Sequence, residues 1–196
     1  VARAGTRPRV LVVDDEQDVA DVYALQLDDD YETEVAYGGE EALDKVDGSI
    51  DAVLLDRRMP DLSGDAVLDE IRERGIDCAV IMVTAVDPDL NILDMDFDDY
   101  LSKPVDEETL KNAIDQHIDA SSGDKRLEEF FRIASKLEVL EAEKTAAELQ
   151  NSDEFKRLAK RAQELADELR EDIDNFEELV MTHRNVSDKE SDGQRF

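Results

Sequence analysis

The run Ala52-Val53-Leu54-Leu55 stops abruptly at Asp56, and Arg57-Arg58-Met59-Pro60 and a Ser63-Gly64 turn follow it. Four consecutive apolar residues bounded by charge and turn signals describe a strand buried on both faces, the environment of a parallel sheet. A carboxylate at the C-terminal end of such a strand sits where open α/β sheets place their ligands.

The flanking sequence repeats the pattern. Arg9–Val13 is a second apolar run and ends in Asp14-Asp15-Glu16. Val19, Val22, Tyr23, Leu25 and Leu27 then fall at helical spacing between Asp18 and Asp28. Tyr31–Tyr37 reads as a polar strand nearer a sheet edge, and Gly38-Gly39 precedes a brief helix with Ala42, Leu43 and Val46 inward. A helix over Asp65–Arg74 is stopped by Gly75. The strand Cys78–Val83 ends in Thr84-Ala85, and Asp87-Pro88 predicts a short helix through Leu90, Ile92, Leu93 and Met95. Tyr100-Leu101-Ser102 is a fifth strand ending in Lys103-Pro104, and Asp106-Glu107-Glu108 starts a helix to about Ile118. Five strands alternating with five helices predict an α/β fold, a doubly wound five-stranded parallel sheet. Such a sheet gathers Asp14, Asp15, Asp56, Thr84 and Lys103 at one edge.

Carboxylates in one crevice repel each other unless a cation lies between them. Oxygen ligands suit Mg²⁺ better than zinc, whose Cys and His ligands are absent from this set. A carboxylate beside Mg²⁺ can attack phosphorus, with Lys103 as a second cation and the Thr84 hydroxyl as a donor to a phosphoryl oxygen. Asp56 is therefore the candidate phosphoacceptor. A dehalogenase-type phosphatase also uses a strand-end aspartyl nucleophile, but it needs an acid two residues later, where this chain has Arg58. No Gly-rich phosphate loop with Lys-Ser/Thr occurs, so nucleotide hydrolysis has no support.

Residues 9–120 resemble the receiver domain of two-component response regulators, through Asp14-Asp15, Asp56, Met59-Pro60 with Gly64, Thr84-Ala85, Tyr100 and Lys103-Pro104. The resemblance implies a flavodoxin-like fold, phosphorylation of Asp56 by a sensor histidine kinase, and no enzymatic turnover of its own. It implies Mg²⁺ held by Asp15, Asp56 and the backbone carbonyl of Arg58, with Asp14 acting through water, and a proline cis-bonded to Lys103. It also implies that Thr84 and Tyr100 move on phosphorylation and remodel the face of the fourth helix, fifth strand and fifth helix. Asp94, Asp96, Asp98 and Asp99 lie near that face, where a solvated acidic surface and a partner site explain them equally well.

Beyond a Ser121-Ser122-Gly123 linker, apolar residues return at helical spacing from Leu127 to Leu149 and from Leu158 to Val180, interrupted at Asn151-Ser152. This predicts a C-terminal two-helix antiparallel hairpin over 124–181, each helix about 27 residues and about 40 Å long. Two helices bury little alone, so the hairpin needs a second copy, its own receiver or another protein as partner. Residues 1–8 and 182–196 read as loose polar tails. The segment resembles the HalX domain that follows receivers in halophilic archaea, particularly in "ASKLEVLEAEKTAAELQNSDEF".

Composition agrees: 53 acids against 23 bases leave a net charge of −30, as in proteins adapted to molar salt. At ordinary ionic strength this surface repels nucleic acid and anionic membranes, but at 1 M salt the Debye length is only ~3 Å and DNA is not excluded by charge. Basic residues cluster at Lys156-Arg157 and Lys160-Arg161, but no helix-turn-helix accompanies them. The lone Cys78 fits a reducing compartment and a core position, and no apolar run approaches the ~18 residues of a membrane span. The expectation is a cytoplasmic response regulator whose helical output changes its association on phosphorylation. The alternative is a transcription regulator contacting DNA directly.

Overall fold

The computed structural model describes residues 7–120, 124–177 and 179–181. The predicted linker 121–123, the tail 182–196 and residues 1–6 of the N-terminal tail lie outside them.

Five parallel strands form one sheet in the order β2-β1-β3-β4-β5. They are β1 (Arg9–Val13), β2 (Glu32–Ala36), β3 (Ala52–Leu55), β4 (Ala79–Thr84) and β5 (Asp99–Ser102). The polar β2 is an edge strand, as its sequence predicts, while β3 is buried at every residue. Alternate side chains of the central strands feed two cores. Val10, Val12, Ala52, Leu54, Ile81 and Val83 face α1 (Gln17–Leu27) and α4 (Glu107–Ala120). Leu11, Val13, Val53, Leu55, Val80 and Met82 face α2 (Gly39–Lys45), α3 (Gly64–Glu73) and a 3-10 turn η1 (Leu90–Asp94). The chain changes direction across the sheet between β1 and β3, which places the ligand crevice at their C-terminal ends.

The fourth helix differs from expectation. Asp87-Pro88 does not open an α-helix; Asp89 caps η1 instead, its carboxylate accepting from the Asn91 N–H at 3.0 Å. Pro88 is buried, and the turn ends at Met95 before a full α-helical stretch can form.

Among the described residues the C-terminal part holds α5 (Lys125–Glu143), α6 (Ala146–Asn151) and α7 (Asp153–Asp172) where two helices were predicted, with 176–177 and 179–181 helical again. The break falls at Lys144-Thr145, where Thr145 and Glu148 form a reciprocal capping box, and again at Ser152, which caps α7. The long helices α5 and α7 do pack antiparallel. Arg126 near the start of α5 pairs with Asp172 at the end of α7 at 2.7 Å. Between them Phe130, Phe131 and Ile133 meet Leu165, Ala166, Leu169 and Phe176.

The partner of this helical unit is its own receiver. Leu140 of α5 and Leu149 of α6 belong to the same core as Ile92, Leu93, Phe97 and Tyr100. Of the two explanations open for the acids near this face, a partner surface holds for Asp98 and Asp99, which α5 covers: Arg132 pairs with Asp98 at 3.1 Å and with the still exposed Asp96 at 2.6 Å, and Ser135 Oγ donates to Asp99 at 2.5 Å. Asp94 remains exposed.

Candidate functional site

β1 and β3 end side by side, because Val13 pairs with Leu55 in register. Asp14 and Asp56 are the next residues after the two strands and are 2% and 8% exposed. With the half-buried Asp15, their carboxylate oxygens lie within 4.8 Å of one another. Among the described residues this is the cluster with the geometry of a cation site. Its all-oxygen donor set fits a hard divalent ion such as Mg²⁺.

Lys103, directly after β5, reaches the same crevice. Its Nζ donates to Asp14 Oδ2 at 2.5 Å and lies 3.4 Å from Asp56 Oδ2. Burial opposes charging this amine, but the hydrogen bond to Asp14 and the charges of Asp56 and Asp14 outweigh it and raise the pKa. Lys103 therefore remains an ammonium in the crevice. The Lys103-Pro104 bond is cis, as the resemblance implies.

The loop after Asp56 is folded tightly against it. The Gly64 N–H donates to the Arg57 carbonyl at 2.9 Å. A Cβ on Gly64 would lie 2.1 Å from the Asp56 carbonyl oxygen, so the close approach requires glycine. Ser63 then caps α3, accepting from Ala66 N–H at 3.3 Å. Arg58 is exposed, and its N–H points to Asp56 Oδ1 at 3.5 Å.

Thr84 at the end of β4 is fully buried, and its Oγ1 accepts from the Val86 N–H at 3.3 Å. Its own proton is left to donate to a second acceptor. The Val86 carbonyl in turn accepts from the Tyr100 hydroxyl at 2.5 Å. Tyr100 is 2% exposed, so the ring points inward. The structure thus brings Asp14, Asp15, Asp56 and Lys103 into one crevice. Thr84 stands at the end of the adjacent strand, joined to Tyr100 through residue 86.

Arg57 was not singled out in the sequence. Its guanidinium is buried, holds Asp65 of α3 at 3.0 Å and lies 3.7 Å from Asp89 before η1. Burial opposes its charge, yet hydrogen bonding to Asp65 keeps its pKa raised. A basic side chain at the end of a buried strand was the available signal, but its acids come from two separate segments, the first turn of α3 and the residue before η1. Arg132, Ser135 and Lys136 were missed as well. Their signal is the intrusion of polar residues into the apolar face of α5 between Phe131 and Leu140.

Comparison with known proteins follows the same division. The profile of the response regulator receiver domain matches residues 10–115, and that of the HalX domain matches residues 119–186. A Haloferax volcanii protein, provisionally described as a transcriptional regulator, is 50% identical over 127 residues, covering 64% of this chain and 22% of that protein. The chain thus spans about a fifth of that relative's length. A CheY-like receiver domain from Methanospirillum hungatei superimposes with a TM-score of 0.56 at 28% identity, covering 60% of this chain and 98% of that one. The BeF3-activated DrrB receiver domain gives 0.53 at 25% identity, with 57% and 97% covered.

Proposed function

From a chain that belongs to the response regulator receiver family and carries a HalX domain behind the receiver, we propose a phosphorelay switch that accepts a phosphoryl group on Asp56. The carrying observation is the strand-end crevice in which Asp14, Asp15 and Asp56 converge and Lys103 lies between two of them. Asp14, Asp15 and Asp56, with the Arg58 carbonyl, would hold Mg²⁺. Bound there, the ion neutralises charge on the transferring group.

The chain's own residues account for the remaining chemistry. A carboxylate oxygen of Asp56 attacks the phosphorus of a phosphohistidine on a sensor histidine kinase. The O–P bond forms as the P–N bond breaks, and the leaving imidazole takes a proton from solvent. Lys103 offers its ammonium to a phosphoryl oxygen, and Thr84 offers its hydroxyl proton to another. The protein is a stoichiometric acceptor in this reading and has no separate catalytic product. The signal passes to the HalX helices, whose association with the receiver or with other proteins changes.

The test is Mg²⁺-dependent labelling by acetyl phosphate, followed by intact mass. The wild-type chain should gain one phosphoryl group, and Asp56→Asn should gain none while keeping its circular dichroism. Equal labelling of the Asn variant would remove Asp56 from the reading.

A direct DNA contact is the second reading, favoured by the transcriptional description of the Haloferax relative. The residues it would use already face acids: Lys156 pairs with Asp153, Arg157 with Glu154, Lys160 with Glu164 and Arg161 with Glu129. DNA affinity that falls steeply with salt and drops on replacing Lys156, Arg157, Lys160 and Arg161 would favour it.

A further inference from the structure

We propose that Arg57, through its forked contact with Asp65, is a positioning residue for the cation at the phosphoacceptor site: it fixes the backbone that presents the Arg58 carbonyl to the ion. This rests on the receiver reading above, which gives Asp14, Asp15, Asp56 and that carbonyl to Mg²⁺, and it adds the side chain that holds the last of the four.

A carboxylate ligand is aimed by its own rotamer, whereas a carbonyl is aimed only by holding the main chain on either side of it. Arg58 supplies no such hold itself, because its side chain is exposed. Its neighbours do. On the far side Met59 is buried in the same core as Val67 and Leu68 of α3. On the near side the buried Arg57 guanidinium meets one carboxylate with two nitrogens, Nε donating to Asp65 Oδ1 at 3.0 Å and Nη2 to Oδ2 at 3.3 Å. Two parallel contacts between planar groups fix orientation as well as distance, which a lysine ammonium does not. The planar peptide joining Arg57 to Arg58 is held at both edges as well. The Arg57 carbonyl accepts from the Gly64 N–H at 2.9 Å, and the Arg58 N–H points to Asp56 Oδ1 at 3.5 Å. Asp65 is a firm anchor for the fork, since it lies in the first turn of α3, where the helix dipole favours an acid.

Charge alone predicts the opposite of positioning. Arg57 is a fixed positive group directly after Asp56, so it repels a cation in the crevice. Its removal should then tighten Mg²⁺ binding, whereas loss of a held ligand should weaken it. The sign of the change separates the two roles. Asp89 supplies the control, because it meets the guanidinium at a single point, 3.7 Å from Nη2, and stands outside the fork.

The experiment titrates the full chain with Mg²⁺ by calorimetry in molar KCl and follows amide exchange over residues 57–64 without the ion. Arg57→Lys keeps the charge and loses the fork; Arg57→Met loses both. Each should bind Mg²⁺ about tenfold more weakly, with faster exchange in the loop. Labelling of both variants by acetyl phosphate should return to the wild-type rate once Mg²⁺ is saturating. Asp89→Asn should bind Mg²⁺ as the wild type does. Unchanged or tighter binding by Arg57→Met would overturn the proposal, and so would labelling that stays slow at saturating Mg²⁺. An equal loss of affinity in Asp89→Asn would overturn it too, since the fork would then not be what matters. Failure of the wild-type chain to bind Mg²⁺ would instead overturn the receiver reading itself.

Discussion

Lys103 holds a position between carboxylates that a divalent ion would also stabilise. Its removal leaves Asp14, Asp15 and Asp56 to repel one another without a fixed positive charge. Lys103→Met should therefore lose stability in EDTA yet gain more stability from added Mg²⁺ than the wild type does, while phosphoryl uptake falls. Thermal melts with and without MgCl₂ measure both effects. Gly64→Ala tests the loop. Its methyl group would collide with backbone at Asp56 and Arg57, costing about 3 kcal/mol in a urea titration and reducing labelling of Asp56. The acidic residues and Lys103 were legible because each directly follows an apolar run, so that finding the strand finds the residue. Arg57 was not, since nothing local marks Asp65 and Asp89 as the acids that close over it.

At the scale of elements, the receiver strands and most helices are legible because their burial alternates with crossovers of ordinary length. The short helix expected from Asp87 through Met95 is a 3-10 turn instead. Its apolar residues Leu90, Ile92 and Leu93 suit one tight turn, and Asp89, two residues on from the expected cap, starts it. The C-terminal helices were mis-divided for a different reason. Apolar spacing continues through Ala142–Ala147, and it hid the Thr145–Glu148 capping pair, which was visible in the sequence.

The α4–β5–α5 junction carries a pH dependence with a definite sign. His117 of α4 is buried, with Nε2 3.3 Å from Asp99 Oδ2. Burial opposes its charge, but the Asp99 hydrogen bond and the charges of Asp99 and Asp98 outweigh burial and the nearby Arg132, so its pKa is raised above 6.5. A raised histidine stabilises the fold fully below about pH 6.5, and the contribution disappears as pH rises through the folded-state value. Lys136 acts oppositely. Burial lowers its pKa to about 8 against the partial support of Asp96, so its charge penalises the fold until the amine deprotonates between about 8 and 10.5. Urea midpoints should decline from pH 6 upward and recover above pH 8. His117→Gln should flatten the first limb, because the raised histidine no longer titrates there.

For the whole molecule the dominant quantity is the charge of −30. Ion pairs such as Arg126–Asp172 and Arg161–Glu129 tie α5 to α7 but offset few of the acids. Screening the remainder should raise the melting temperature steadily between 0.1 M and 2 M KCl, with the exposed pairs contributing little at either end. A chain that melts higher at low salt would show that attraction, rather than repulsion, dominates its surface. Among the described residues no helix is long and apolar enough to cross a membrane.

The short path between α4, which ends at Ala120, and α5, which begins at Lys125, has a consequence for competition. A helix joined to its docking face by so few residues sits there at an effective concentration on the order of millimolar. Any other protein seeking the η1–β5 face must outcompete a neighbour that never diffuses away. Mere abundance of a rival is then a weak signal, whereas a modest change in how well α5 fits is a strong one. The covalent connection makes the face comparatively insensitive to the crowd outside.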